Sequence, residues 1–245
     1  MEKNAAEFKN FGVALEQNAS PDARVLVVGE FMNTNAAVLK KYAPKIPVKH
    51  ITGLALAVQN RATRLVGEKP NAPSGNLKNL TIWGNLSGTI YPDMRFSYYK
   101  HSGSLTPPPQ SFLEPTFLHR ISSELQTPTP SPKTANLHQK TGSIAAAICD
   151  HVRYWAYGNQ DQTNLIDSDP VDLISMGFAS DGSKQSYQIP AEIFFSFPVN
   201  CFDWNCEIVQ GYDFSDEYSL RAIGIAGKEL VNDRKIALQF LEPSQ

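Results

Sequence analysis

Lys78-Asn-Leu-Thr-Ile-Trp83-Gly-Asn-Leu86-Ser-Gly-Thr-Ile-Tyr91-Pro-Asp93 is the stretch on which the reading of this chain turns. Leu80 to Trp83 is short, β-branched and aromatic, which predicts a buried strand. Gly84, Gly88 and Pro92 then break the pattern into a loop. A loop leaving the end of a buried strand is where α/β proteins usually carry their chemistry.

Upstream, the pattern alternates. Phe8, Phe11 and Leu15 share one face of a helix expected over residues 5–19, and Ser20-Pro21 ends it. Arg24-Val-Leu-Val-Val-Gly29 is a continuous apolar run closed by glycine, the signature of a buried parallel strand. A helix is expected over 34–42, a strand over 51–55 and another helix over 58–67. This rhythm predicts an α/β front.

Downstream, the rhythm changes. Thr106-Pro-Pro-Pro109 and Thr127-Pro-Thr-Pro-Ser-Pro132 bracket a stretch with one short helix expected within 111–125. Residues 102–135 are read as a Pro-rich, partly mobile surface excursion. Ser143 to Trp155 is an Ala-rich helix stopped by Gly158, with Ser143 as its cap. Strands follow over 173–177, 191–199 and 206–210 as an antiparallel meander, with a turn at Asp181-Gly182. A last helix starts after Ser215 as its N-cap, with Asp216 and Glu217 favouring its positive end, and runs toward Leu241. The tail reads α+β.

The 245 residues are 42% hydrophobic and 19% charged, with a formal net charge of −2. Nothing there argues for nucleic acid or an anionic membrane. No apolar run approaches the ~18 residues that span a bilayer, and the charged N-terminus lacks a secretory signal's apolar core. Cys149, Cys201 and Cys206 read as reduced thiols, with neither a disulfide framework nor metal-ligand spacing. A cytoplasmic protein is expected.

The opening stretch resembles the strand and loop that carry the catalytic histidine in cytosolic malate dehydrogenases, WGNHS followed by YPD. Val25-Leu-Val-Val-Gly29 with Asn33-Thr-Asn35 is similar to that family's VVGNPANTN. Tyr42-Ala-Pro44 and Asn60-Arg-Ala62 extend the resemblance. So do Ile148-Cys-Asp-His-Val-Arg153, Ser175-Met-Gly177 with Ser180-Asp-Gly182, Ser196-Phe-Pro198, Asp213-Phe-Ser215 and Lys228-Glu-Leu230. The match is co-linear, and its altered catalytic positions bring it nearest the divergent branch called malate dehydrogenase 1B. It implies a partial Rossmann-type sheet followed by an α+β lactate/malate dehydrogenase C-terminal domain. Residues 1–58 would be a remnant of the dinucleotide-binding domain and 59–245 the C-terminal domain. By the same alignment the chain begins past the family's Gly-rich turn, about halfway through its cofactor sheet, and no G-x-G-x-x-G occurs in it.

The resemblance also assigns roles. Its histidine, which accepts the hydroxyl proton of malate, falls on Leu86, and its histidine-orienting aspartate falls on Val58. A missing general base typically lowers a rate ~10²–10⁴-fold. Arg61 takes the substrate-carboxylate position, with a helix arginine, solvated or ion-paired, as the equal alternative. Glu30 takes the place of an asparagine that contacts substrate and nicotinamide, where its charge would repel a dicarboxylate by about 4 kcal/mol at ~4 Å. Asn33 and Ser143 fall at cofactor-side positions. The implied protein is a malate dehydrogenase-like chain without catalysis and without a cofactor, acting through binding or assembly. The alternative is a truncated or altered NAD-dependent enzyme. An incomplete sheet would need a protein partner or a second copy to cover it.

Overall fold

The structure is a computed structural model that describes residues 1–86, 88–127, 137–158 and 171–242, with the backbone alone over 137–141. Helix α1 (Glu2–Asn18) leads to strand β1 (Val25–Val27), α2 (Met32–Tyr42), β2 (Ile51–Gly53) and α3 (Leu56–Gly67). The middle holds β3 (Asn76–Lys78), β4 (Thr81–Gly84), β5 (Ile90–Asp93), β6 (Tyr98–His101), β7 (Ser104–Thr106) and α4 (Pro115–Gln126). Helix α5 (Leu137–Tyr157), strands β8 (Ile174–Ala179), β9 (Phe194–Phe202) and β10 (Asn205–Ile208), and helix α6 (Glu217–Leu241) complete the chain.

One sheet runs β1-β2-β8-β9-β4-β5, with β10 added to β9, and a small sheet pairs β3, β6 and β7. The β1–β2 pair is parallel, as the alternation at the front predicts, and β8, β9 and β10 form the antiparallel meander. The two characters meet at a single pair, Gly53 with Gly177. Glycine is required there: a Cβ on Gly53 would fall 1.7 Å from Met32 Sδ, and one on Gly177 would fall 2.7 Å from the same side chain. Position 58 lies inside α3, and the sheet takes strands from both sides of it.

The opening stretch folds as its composition predicts. All of β4 is buried. Trp83 sits edge-on to Tyr187, Phe197, Tyr212 and Phe214, with ring centroids 4.8–5.9 Å away. Such edge contacts each add ~0.5–1.5 kcal/mol beyond area burial. Gln59 of α3 accepts the Ser175 N–H at 2.6 Å and donates to the Leu173 carbonyl at 2.9 Å, so a side chain serves β8 as a neighbouring strand would.

Several expectations are corrected. Residues 104–126 are not an excursion: they form β7 and α4, and Phe112, Phe117, Leu118, Ile121 and Leu125 enter the main core. Four apolar side chains at helical spacing in α4, with Phe112 in the turn before it, outweigh the prolines around them, while residues 128–135 lie outside the described residues. Helix α5 starts at Leu137, so Ser143 lies inside it rather than at its start. Asp216, not Ser215, caps α6, its carboxylate accepting the Ser219 N–H at 2.8 Å. Strands β8 and β9 are joined by the whole of residues 180–193 rather than by a tight turn at Asp181. Cys201 and Cys206 are joined by a disulfide, because the β9–β10 register sets them directly opposite one another.

Candidate functional site

The carboxyl ends of β1, β2 and β4 converge. The Leu54 N–H, leaving β2, donates to the Val27 carbonyl of β1 at 3.0 Å. Asn33, fully buried in the first turn of α2, accepts the Leu86 backbone N–H at 3.1 Å and donates to the Phe194 carbonyl at 3.1 Å. One amide therefore ties α2, the loop after β4 and strand β9 together. Buried amides hold such bonds because an unpaired partner would forfeit ~1–3 kcal/mol.

The loop after β4 is held from two further sides. The Thr89 N–H donates to Glu229 Oε2 at 2.9 Å, and Asn85 Nδ2 to Asp233 Oδ2 at 3.3 Å, both from α6. Gln126, the last residue of α4, donates to the Gly88 carbonyl at 2.7 Å. Gly88 lets the Glu229 carboxylate come close, since a Cβ there would meet it at 2.3 Å and displace it. Burial, then the neighbouring Glu229 charge, raises the Asp233 pKa above the usual carboxylate range. The resemblance drew attention to Lys228-Glu-Leu230 without giving Glu229 a task; its contact with the loop is set by helix packing that the local sequence does not encode.

The loop presents Leu86, half-buried and packed against the two larger apolar clusters of the protein. Val58, in the first turn of α3, is also half-buried against the main core. An isobutyl and an isopropyl group occupy the two positions where the resemblance places a histidine and an aspartate. Neither can accept or hold a proton.

Arg61 is engaged by main chain. Its guanidinium donates to the carbonyls of Glu124, Leu125 and Thr127 at 2.8–2.9 Å, and its Nε is buried without a partner. The cause is local. Pro128 disfavours helix at Thr127, so α4 stops and leaves its last carbonyls open. A cation at a helix C-terminus answers both the hydrogen-bond deficit and the macrodipole.

The cofactor-side residues stand at or just before the start of α2 and on α5. Glu30 is exposed after β1, its backbone carbonyl accepting from Asn35 Nδ2 at 2.8 Å. Asn33 is engaged on both amide atoms, and Ser143 is exposed on α5. Among the described residues, no group of His, Cys, Asp and Glu is placed to hold a metal. Of the histidines, His151 is fully buried, its Nε2 2.9 Å from Thr52 Oγ1 and its Nδ1 without a partner. Burial lowers its pKa to about 4. His50 is buried beside Arg24, 2.8 Å away, and burial followed by that charge lowers its pKa.

No model of a known protein family matches the chain. Solved structures do match, and they define a lactate/malate dehydrogenase fold. Malate dehydrogenase from Naegleria fowleri aligns at 27% identity and a TM-score of 0.74, over 98% of this chain and 69% of that one. Trichomonas vaginalis lactate dehydrogenase, solved with NADH and oxamate, aligns at 22% identity and a TM-score of 0.77, over 99% of this chain and 70% of that one. Among curated sequences, cytoplasmic malate dehydrogenase of Beta vulgaris is 37% identical over 98% of this chain and 69% of its own length. The Zea mays cytoplasmic enzyme is 34% identical over 99% of this chain and 69% of its own length. The chain belongs to the malate dehydrogenase family. Among the described residues, no helix is long and apolar enough to cross a membrane.

Proposed function

We propose that this chain is a malate dehydrogenase-like protein that does not interconvert malate and oxaloacetate and acts through binding or assembly. The observation that carries the reading is the loop after β4, held in place by Asn33, Glu229, Asp233 and Gln126, yet presenting Leu86 where the family's reaction needs a proton acceptor. Val58 removes the acceptor's orienting partner, and Arg61 is engaged by backbone carbonyls rather than open to a carboxylate. No NAD(H) site is proposed on Glu30, Asn33 and Ser143. Like its cytoplasmic relatives, the protein is assigned to the cytoplasm.

The test is oxaloacetate reduction with NADH at micromolar protein, run beside thermal shift with NADH, malate and oxaloacetate. The expected result is no turnover and no shift. Activity that co-purifies with the chain through successive columns would support the alternative, an altered NAD-dependent malate dehydrogenase, which the identity to working relatives favours.

Assembly is proposed at the β1 edge. Strand β1 pairs with β2 on one side, and an apolar groove of about 640 Å³ lies between it and α1, lined by Phe8, Phe11, Leu15, Val25 and Val28. Exposed edges of this kind recruit a strand from a partner or a second copy. Light scattering that finds a stable monomer with no affinity for itself or for a strand peptide would remove this part of the proposal.

A further inference from the structure

Cys201 and Cys206 are direct neighbours across β9 and β10, with Cα atoms 4.1 Å apart. The turn between these strands is tight. Asp203 and Trp204 both take left-handed φ, at 48° and 63°. The tip is pinned to the end of α5: the Trp204 N–H donates to the Trp155 carbonyl at 2.9 Å, and Trp155 Nε1–H donates to the Trp204 carbonyl at 3.1 Å. Turn, register and indole bonds hold the two cysteines opposite one another whether or not the sulfurs are joined.

The two sulfurs differ in access. Cys201 is 2% exposed, whereas Cys206 is half-buried on an edge strand. Both lie 4.0 Å from Met176 Sδ, which backs the pair on the side of the core. A thiol–disulfide exchange therefore has one sulfur to enter by. The relatives are cytoplasmic enzymes, and cytosolic thiols are kept reduced unless an oxidant arrives.

We propose that Cys201 and Cys206 form a reversible thiol–disulfide modification site, in which Cys206 exchanges with small-molecule disulfides and Cys201 resolves the intermediate. The Cys206 thiolate attacks one sulfur of glutathione disulfide. The glutathione S–S bond breaks, one glutathione leaves as thiolate, and Cys206 carries the other as a mixed disulfide. Cys201 gives its proton to the departing thiolate or to water and attacks Cys206 Sγ, expelling the second glutathione. Two protein thiols are oxidised, and one glutathione disulfide is reduced to two thiols. In reverse, a reducing thiolate enters at Cys206 and must expel Cys201 into an apolar setting. Burial raises a thiol's pKa and makes it a poorer leaving group, so reduction is the slow direction.

The test uses the full chain, with sites mapped by peptide mass after alkylation, because Cys149 is an exposed free thiol that also reacts. Titrating the reduced protein with glutathione disulfide should remove Cys201 and Cys206 from alkylation together. The melting temperature should rise by about 4–8 °C, from loop closure in a protein of this size. Cys201→Ser should accumulate glutathione on Cys206. Cys206→Ser should leave Cys201 unmodified under native conditions. Two results overturn the proposal: both cysteines remaining alkylatable across the oxidising series, or Cys201 accepting glutathione as readily as Cys206 does. The wild-type titration decides the first point even if a variant folds poorly.

Discussion

Asn33 Oδ1 accepts the backbone N–H of Leu86 at 3.1 Å, so a residue at the start of α2 fixes the loop that leaves β4. The hold acts on the main chain and is indifferent to the side chain presented. A loop held in this way does not depend on which side chain stands at position 86. Scaffold and chemistry are separable here because hydrogen bonds to the backbone carry the first and one side chain carries the second.

Asn33→Ala should therefore be among the costlier polar substitutions. It leaves the Leu86 N–H and the Phe194 carbonyl without their partner in a buried setting. A loss of roughly 2–4 kcal/mol is expected in urea unfolding. A change under about 0.5 kcal/mol, the range of ordinary surface substitutions, would mean that solvent replaces the amide.

Arg61→Ala should destabilise by roughly 1–3 kcal/mol, through three carbonyls that lose a charged donor. Arg61→Lys should fall between wild type and alanine, since one ammonium cannot reproduce the planar fork. Millimolar malate should leave the wild-type melting temperature unchanged. A rise present in wild type and absent in Arg61→Ala would show the guanidinium free to clamp a carboxylate.

His151 predicts a pH dependence with a definite sign. Its usual pKa of 6.5 falls to about 4 in the folded protein through burial. Between those values the unfolded chain binds the proton and the folded chain does not. Its contribution is fully present above pH 6.5 and is lost as pH falls toward 4, by up to about 3 kcal/mol in total. His151→Gln should flatten the denaturation midpoint across this window. An equal slope in the variant would place the titration elsewhere.

Trp83→Ala should cost about 3–5 kcal/mol, as large-to-small changes in a closed core do. Trp83 is fully buried among four aromatic rings, and its indole N–H has no partner. Trp83→Phe should therefore cost much less, because it removes that unpaired donor while keeping a ring in place. Chemical denaturation of the two variants measures the difference, and equal losses would refute the account.

Much of the fold was legible because short-range patterns decide it. The run Val25–Gly29, the apolar face of α1 and the meander from β8 to β10 each carry their own periodicity. Where reading failed, a distant partner decided. The prolines around α4 suggested a loop, but Phe117, Ile121 and Leu125 reach the core. A spacing of five positions suggests free thiols, but a tight turn places the two cysteines face to face. The contact of Arg61 with the end of α4 carries no local signal in the sequence either.

The sequence by itself determined the family, and it placed leucine at position 86 and valine at position 58. Those are facts of side-chain identity, and no fold can give an aliphatic group a proton to exchange. Only the tertiary structure decided what holds the loop of Trp83 to Asp93. Asn33, Gln126, Glu229 and Asp233 come to it from three helices far apart in the chain, and a hydrogen bond forms only where packing brings donor and acceptor within about 3 Å.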